Sequence, residues 1–121
     1  MKNSIIFISL VTASLACSSA LAQYEVVCKN YAETTYAQKK IYIDCKNRSN
    51  VKSAMQNAAM DIRKYFQKQA TLPPSSRSYQ VREDELIDCY KSIREIDSGY
   101  FDEGMAPALL SNCNSPLSRI N

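Results

Sequence analysis

Apolar residues recur every three or four positions between residues 50 and 70, and mostly polar residues lie between them. This spacing predicts an α-helix with one apolar face. The apolar positions are Val51, Met55, Ala58, Ala59, Ile62, Tyr65, Phe66 and Ala70. Asn50 is the predicted N-cap, and Pro73-Pro74 should end the helix because proline cannot continue its hydrogen-bond ladder. Since such a helix is unstable alone in water, we expect the rest of the chain to cover its apolar face.

A second helix is predicted for residues 81–97, where the same spacing returns. Its buried positions are Leu86, Cys89, Tyr90, Ile93 and Ile96. Acidic residues occupy its first turn, where negative charge stabilises the positive end of the helix dipole. A short helix over residues 107–112 should follow, with Leu109 and Leu110 in the core, and residues 114–121 are expected to form a frayed tail.

Residues 23–46 fit two patterns. Apolar residues from Tyr24 onward continue a helical stripe, whereas residues 41–45 alternate with the period of two that is typical of a strand. A hairpin would need a turn within residues 32–38, which contain no Gly, Pro or Asn, so the helix is favoured. The predicted fold is therefore all-α, a disulfide-stapled bundle of three to four helices, and the alternative is an α+β fold with an N-terminal hairpin.

Residues 1–22 have the features of a secretory signal peptide. Lys2 provides a positive charge before an apolar run, and Ala20-Leu21-Ala22 forms a small-residue cleavage site. We therefore expect a single domain, residues 23–121, that is periplasmic or secreted. The alternative is a lipoprotein signal in which Cys17 is lipidated. No membrane span is predicted after cleavage of the signal.

Four cysteines remain after removal of the signal, namely Cys28, Cys45, Cys89 and Cys113. An even number in an exported chain predicts two disulfides. In a continuous helix Cys28 and Cys45 would lie about 25 Å apart, too far for a bond, so each would have to pair with Cys89 or Cys113. In an antiparallel bundle Cys28 lies nearer the level of Cys89 than Cys45 does, which favours Cys28–Cys89 with Cys45–Cys113. A hairpin would instead permit Cys28–Cys45 directly. No metal site is predicted, because the cysteines lack the spacing of zinc ligands and the chain has no histidine.

The residue types present argue against catalysis. Without histidine, Ser-His and Cys-His nucleophile systems are impossible, and two glycines do not make a phosphate-binding loop. The candidate acid–base residues are Asp84, Asp88, Asp97, Asp102 and Glu103, which we expect to be solvated. The formal net charge of +3 is not concentrated in one block, so neither nucleic acid nor a membrane surface is a predicted partner. We predict no enzymatic activity, catalytic residue or cofactor.

Tyrosine is abundant in the chain, which has eight tyrosines and no tryptophan. Its side chain combines a large apolar ring with a hydroxyl group, and this suits a protein–protein interface. Tyr79, Tyr100 and Phe101 lie in or beside predicted loops, and residues 71–78 form a Ser- and Pro-rich connection between the two long helices. The predicted partner-binding residues are Ser75, Ser76, Tyr79, Tyr100 and Phe101.

The late-helix segment Glu85-Leu86-Ile87-Asp88-Cys89-Tyr90-Lys91-Ser92, together with the signal peptide and the paired cysteines, resembles the immunity proteins against peptidoglycan amidases of type VI secretion systems. The resemblance implies a mostly helical, exported protein that binds a toxin's active-site cleft, largely through loops, and that is often a homodimer. The expected function is therefore inhibition of a cell-wall hydrolase by occlusion of its active site. A periplasmic stress chaperone and a small secreted effector are the alternatives.

Overall fold

The computed structural model describes residues 24–29 and 39–120. Its elements are, in chain order, β1 (Tyr24–Cys28), β2 (Lys39–Ile43), α1 (Arg48–Thr71), α2 (Glu83–Asp97) and α3 (Ala106–Leu117), with 3₁₀ turns at Pro74–Ser76 and Glu103–Met105. The predicted signal peptide, its cleavage site and Cys17 lie outside the described residues. None of the described helices is both long and apolar enough to cross a membrane.

Helix α1 is the long central helix that the sequence pattern predicts. Of its predicted apolar positions, Phe66 is only partly buried and Ala70 is exposed, and the others form the buried face. The predicted N-cap is wrong, because the side chain of Asn47 accepts from the N–H groups of Ser49 at 2.9 Å and Asn50 at 3.4 Å. The helix therefore begins almost one turn earlier than predicted.

Helices α2 and α3 pack on α1 and on each other. The buried positions of α2 are Cys89, Ser92, Ile93 and Ile96, and Leu86 and Tyr90 are partly buried. Helix α3 continues to Leu117, beyond the predicted end at residue 112, because Cys113, Pro116 and Leu117 extend its apolar face. The three helices enclose one core.

The prediction of a frayed C-terminal tail is wrong for residues 114–120. The side chains of Leu117 and Ile120 are at most 1% exposed. Arg119 forms an ion pair with Glu85 of α2 and donates to the carbonyl of Gln80. Apolar burial and these polar contacts together hold the end of the chain against the start of α2.

The sequence pattern favoured a helix over residues 23–46, and this prediction is wrong for the residues of β1 and β2, which form a two-stranded sheet. The α+β alternative therefore fits the fold. The strands are parallel, with Tyr24 opposite Lys39 and Cys28 opposite Ile43, so the predicted hairpin is also wrong. Tyr24, Val26 and Cys28 are buried, which is the alternation with period two that a half-covered strand requires. The connecting residues 30–38 lie outside the described residues.

Asn114 of α3 covers the second edge of β1. Its side-chain amide donates to the carbonyl of Val26 at 2.7 Å and its oxygen accepts from the N–H of Val26 at 3.1 Å. The side chain thereby takes both hydrogen bonds that a neighbouring strand would make with Val26. Strand β1 thus lies between β2 on one edge and α3 on the other.

The two disulfides join Cys28 to Cys45 and Cys89 to Cys113, so the favoured pairing is wrong. The parallel register places Cys28 opposite Ile43, only two residues before Cys45. The second disulfide joins α2 to α3, with the two Cα atoms 4.7 Å apart. All four cysteines are at least 95% buried, so both bonds are part of the core.

Charge is distributed unevenly between the two halves of the described chain. Up to Arg82, lysine and arginine greatly outnumber aspartate and glutamate, whereas from Glu83 onward acidic residues predominate. The halves meet in ion pairs such as Lys52–Asp97, where Nζ and Oδ1 are 2.6 Å apart. These pairs are partly exposed, so each contributes little to stability. The asymmetry instead gives the strand layer and α1 a positive potential.

Candidate functional site

The predicted partner-binding residues lie at opposite ends of the α1–α2 pair. Ser75, Ser76 and Tyr79 belong to the connection between these helices, whereas Tyr100 and Phe101 follow the end of α2. The helices are antiparallel, because Lys52 near the start of α1 pairs with Asp97 at the end of α2.

The distance between the two groups follows from the length of α1. Tyr65 contacts the connection that contains Tyr79, and it lies 13 residues beyond Lys52, or about 20 Å along the helix axis. The five predicted residues therefore do not form one patch. A partner that binds at a single place on the surface can therefore contact the predicted residues at only one end of the α1–α2 pair.

The connection between α1 and α2, residues 72–82, is called the 72–82 loop here. The hydroxyl of Tyr65 donates to the carbonyl of Ser78 and accepts from the N–H of Gln80 at 2.6 Å. The side-chain oxygen of Gln69 accepts from the N–H of Ser78 at 2.9 Å. Two side chains of the last turns of α1 therefore fix the path of the loop.

Arg77 attaches the same loop to the end of α1. Its guanidinium donates to the carbonyls of Leu72 at 2.9 Å and Ala70 at 3.2 Å. Carbonyls at a helix C-terminus lack partners within the helix, and the negative end of the dipole favours a cation there. Ser75 and Ser76 lie on the adjoining 3₁₀ turn and are exposed.

Tyr79 is the exposed aromatic residue of the 72–82 loop. Its ring stacks on Phe66 with centroids 6.3 Å apart and planes at 25°, and the residue is 55% exposed. Phe66 in turn meets Tyr65 edge to face at 5.5 Å. Tyr79 thus has one ring face supported by α1 and the other available for contact.

Replacing Tyr65 by phenylalanine should loosen the 72–82 loop. The change removes a hydroxyl that makes two hydrogen bonds, so we expect the free energy of unfolding to fall by about 1–3 kcal/mol. Hydrogen exchange of the Ser78 and Gln80 amides should accelerate. The matched control is Tyr90→Phe, since Tyr90 is partly buried and its hydroxyl has no hydrogen bond within the described residues. Equal stability losses in the two variants would contradict this anchoring role.

In the second group, which consists of Tyr100 and Phe101, the exposed tyrosine has fewer supporting contacts than Tyr79 has. Tyr100 is 74% exposed, whereas Phe101 is partly buried against the core. The carboxylate of Asp102 accepts from the N–H of Gly104 at 3.0 Å, which begins the short turn before α3. No ring contact supports Tyr100 among the described residues. Its side chain is therefore held less firmly than that of Tyr79.

Several of the candidate carboxylates have structural partners. Asp84 pairs with Arg82 at 3.1 Å, and Asp97 pairs with Lys52. The hydrogen bond from Arg119, with a second from the backbone N–H of Arg82, lowers the pKa of Glu85. Within residues 24–29 and 39–120, no cluster of His, Cys, Asp or Glu has the size needed to hold a metal ion.

A groove of about 430 Å³ lies between the strand pair and the N-terminal half of α1. Its lining residues are Tyr24, Val26, Lys29, Ile41, Tyr42, Ile43, Asp44, Asn50, Ser53, Ala54 and Asn57. Burial, reinforced by the nearby Asp61 carboxylate, raises the pKa of Tyr24 far above its usual range, so its hydroxyl stays protonated. The sequence pattern did not indicate this groove, because it depends on where the strand pair lies.

No family model matches the chain, and no match was found among curated proteins or solved structures. A function must therefore be inferred from the residues and their geometry. Within the part of the chain that the structure describes, the 72–82 loop and the groove each carry an exposed aromatic residue, Tyr79 and Tyr42 respectively.

Proposed function

We propose that this protein is an exported inhibitor that neutralises a peptidoglycan-degrading amidase, as an immunity protein does, by occluding its active-site cleft. The observation that carries the proposal is the fixed conformation of the 72–82 loop. A loop held in one conformation before binding loses little entropy when it enters a cleft. It is therefore suited to tight inhibition without conformational change.

Tyr79 is the proposed anchor of the interaction. Interface hot spots are enriched in tyrosine and lie in well-packed, desolvated positions. The exposed face of Tyr79 can bury its area in the partner while Phe66 keeps the ring in place. Ser75 and Ser76 on the adjoining 3₁₀ turn would supply polar contacts at the rim of the cleft.

The proposed compartment is the periplasm or the cell exterior. Two buried disulfides are consistent with an oxidising environment. This agrees with the signal peptide predicted for residues 1–22, and the amidase that the protein would inhibit acts on peptidoglycan in the same compartment.

The test screens purified secreted peptidoglycan amidases, beginning with any that proves to be encoded beside this protein, and measures the loss of turbidity of isolated peptidoglycan. We expect inhibition to be complete at equimolar protein. Tyr79→Ala should weaken binding at least about thirtyfold, the effect of losing a hot spot of roughly 2 kcal/mol. Tyr100→Ala is the matched control, since it makes the same change at the other end of the helix pair, and it should leave inhibition intact.

Two results would count against this assignment. If Tyr79→Ala inhibits as well as the unmodified protein and Tyr100→Ala does not, the interface lies at the opposite end of the helix pair. If neither the protein nor its variants inhibit the amidase at any ratio, the proposed function is wrong.

A further inference from the structure

The second half of α1 carries exposed cations beside an exposed methionine. Met60 is 52% exposed, and Arg63, Lys64 and Lys68 are exposed as well. They follow one another at intervals of three and four residues, so they are neighbours on one side of the helix. These four residues are called the outer α1 face here.

The outer α1 face is continuous with the exposed aromatic residue of the 72–82 loop. Arg63 precedes Phe66 by three residues, and Phe66 stacks on Tyr79 with ring centroids 6.3 Å apart. Methionine, arginine and tyrosine are residue types that are enriched at protein interfaces. The exposed areas of Met60 and Tyr79 therefore belong to one surface, and Arg63 lies between them.

The cations of this face are not neutralised by the fold. Among the described residues, no ion pair includes Arg63, Lys64 or Lys68. The carboxylate nearest to them in the sequence, Asp61, lies beside Tyr24 of β1. Lys68 is in the last turn of α1, where the helix dipole favours a cation, but Lys64 lies one turn earlier and repels it. Stability of the helix therefore does not account for the whole cluster.

We propose that the outer α1 face binds an acidic surface of the partner protein, beside the cleft that receives Tyr79. This inference rests on the proposed function, because it takes the 72–82 loop as the interface. Carboxylates at the rim of the cleft would attract the cations before contact and pair with them after docking. The planar guanidinium of Arg63 can hold a carboxylate with two parallel hydrogen bonds.

A second copy of this chain does not suit the face. In a twofold dimer the same patch lies on both sides of the interface, so the cations of the two copies would repel one another. Exposed carboxylates do occur on α2, including Glu83, Asp88 and Glu95. A contact between α1 of one copy and α2 of the next would be head-to-tail, however, and would continue into a filament unless a ring closed. A separate acidic protein neutralises the face without such growth.

An acidic peptide tests the face without any amidase. The probe is a peptide of about 14 residues with leucines at helical spacing and glutamates on both sides of them. At low ionic strength, it should saturably shift the nuclear magnetic resonance signals of the amides of residues 60–68 and Tyr79. A peptide with lysine in place of every glutamate should not bind. Salt at about 0.5 M should weaken binding of the acidic peptide at least about tenfold, because it screens exposed charges.

Charge removal at the face is compared with equal charge removal elsewhere. The triple variant Arg63→Gln, Lys64→Gln and Lys68→Gln should weaken binding of the acidic peptide at least about tenfold. The matched control has the same net charge and changes exposed residues of other elements, namely Lys29→Gln, Lys46→Gln and Lys91→Gln. It should change binding less than about threefold, because screening limits the effect of distant charges.

The same variants are then mixed with an amidase that the protein inhibits. The triple variant should associate at least about tenfold more slowly than the unmodified protein at low salt, and the difference should shrink as salt is added. If its association rate is unchanged at every salt concentration, the outer α1 face lies outside the interface while the proposed function stands. If the acidic peptide binds as expected and no amidase is inhibited, the proposed function is wrong and the acidic partner is another protein.

Four further outcomes would overturn the inference. The two peptides could bind alike, or the control variant could weaken binding as much as the triple variant. Sedimentation could detect self-association that the triple variant abolishes, which would assign the face to a second copy. Vesicles that contain phosphatidylglycerol could bind more tightly than the acidic peptide, which would assign it to a membrane surface.

Discussion

Replacing Cys89 and Cys113 together by alanine is expected to lower the free energy of unfolding by about 3–5 kcal/mol. The bond closes a loop with a sequence separation of 24 and joins α2 to α3, two of the three helices that enclose the core. Both side chains are at most 1% exposed, so their loss also removes packed volume. Urea unfolding followed by far-ultraviolet circular dichroism measures the change.

The matched variant replaces Cys28 and Cys45. Its loop is of similar length, with a sequence separation of 17, so the chain-entropy effect is nearly the same, about 3 kcal/mol. The structural consequence should differ, because this bond holds only the strand layer. We expect the strand amides to exchange faster while α1, α2 and α3 stay protected. A fall of less than about 1 kcal/mol for the Cys89 and Cys113 variant would contradict the role assigned to that bond.

Asn114→Ala is expected to lower the free energy of unfolding by about 2–4 kcal/mol, because it leaves the buried N–H and carbonyl of Val26 without partners. Asn57→Ala provides the control, since Asn57 is an exposed asparagine of α1. Its replacement should change stability by less than about 0.5 kcal/mol. Thermal unfolding and exchange of the Val26 amide measure both effects.

A second variant at the same position separates the two hydrogen bonds. Asn114→Asp keeps an acceptor for the N–H of Val26 but places an oxygen against its carbonyl. At neutral pH this variant should be less stable than the unmodified protein, and the deficit should shrink when acid protonates the new carboxyl group. Full stability of Asn114→Asp at pH 7 would mean that the bond to the Val26 carbonyl is unimportant.

The helices were predictable because apolar residues such as Val51, Met55 and Ile62 recur with a period close to 3.6 residues. The strands were missed for a specific physical reason. The lack of turn residues within residues 32–38 argues only against a tight hairpin, whereas a parallel pair needs a longer connection and no tight turn at all. The wrong disulfide pairing followed from the same assumption.

The candidate site was predictable only in part. Tyr79, Tyr100 and Phe101 were predicted to lie in or beside loops; Tyr79 and Tyr100 are exposed, whereas Phe101 is partly buried against the core. Their separation depends on α1 and α2 running antiparallel, which residue type alone does not specify. Tyr65 occupies a regular apolar position of α1, so the sequence pattern did not predict that its hydroxyl makes hydrogen bonds with the 72–82 loop. The groove depends on the parallel strands and was therefore also missed.

Each disulfide joins two cysteines that follow one another in the sequence of the four bonded cysteines, Cys28 with Cys45 and Cys89 with Cys113. In an exported chain from which Cys17 has been removed with the predicted signal peptide, an oxidant that pairs thiols in the order in which they leave a translocation channel would therefore produce the native bonds directly. The first bond can close before α2 has emerged, and neither bond has to wait for the other. If the chain is exported as proposed, its oxidative maturation would need no thiol–disulfide isomerase, and its rate would be set by oxidation rather than by reshuffling.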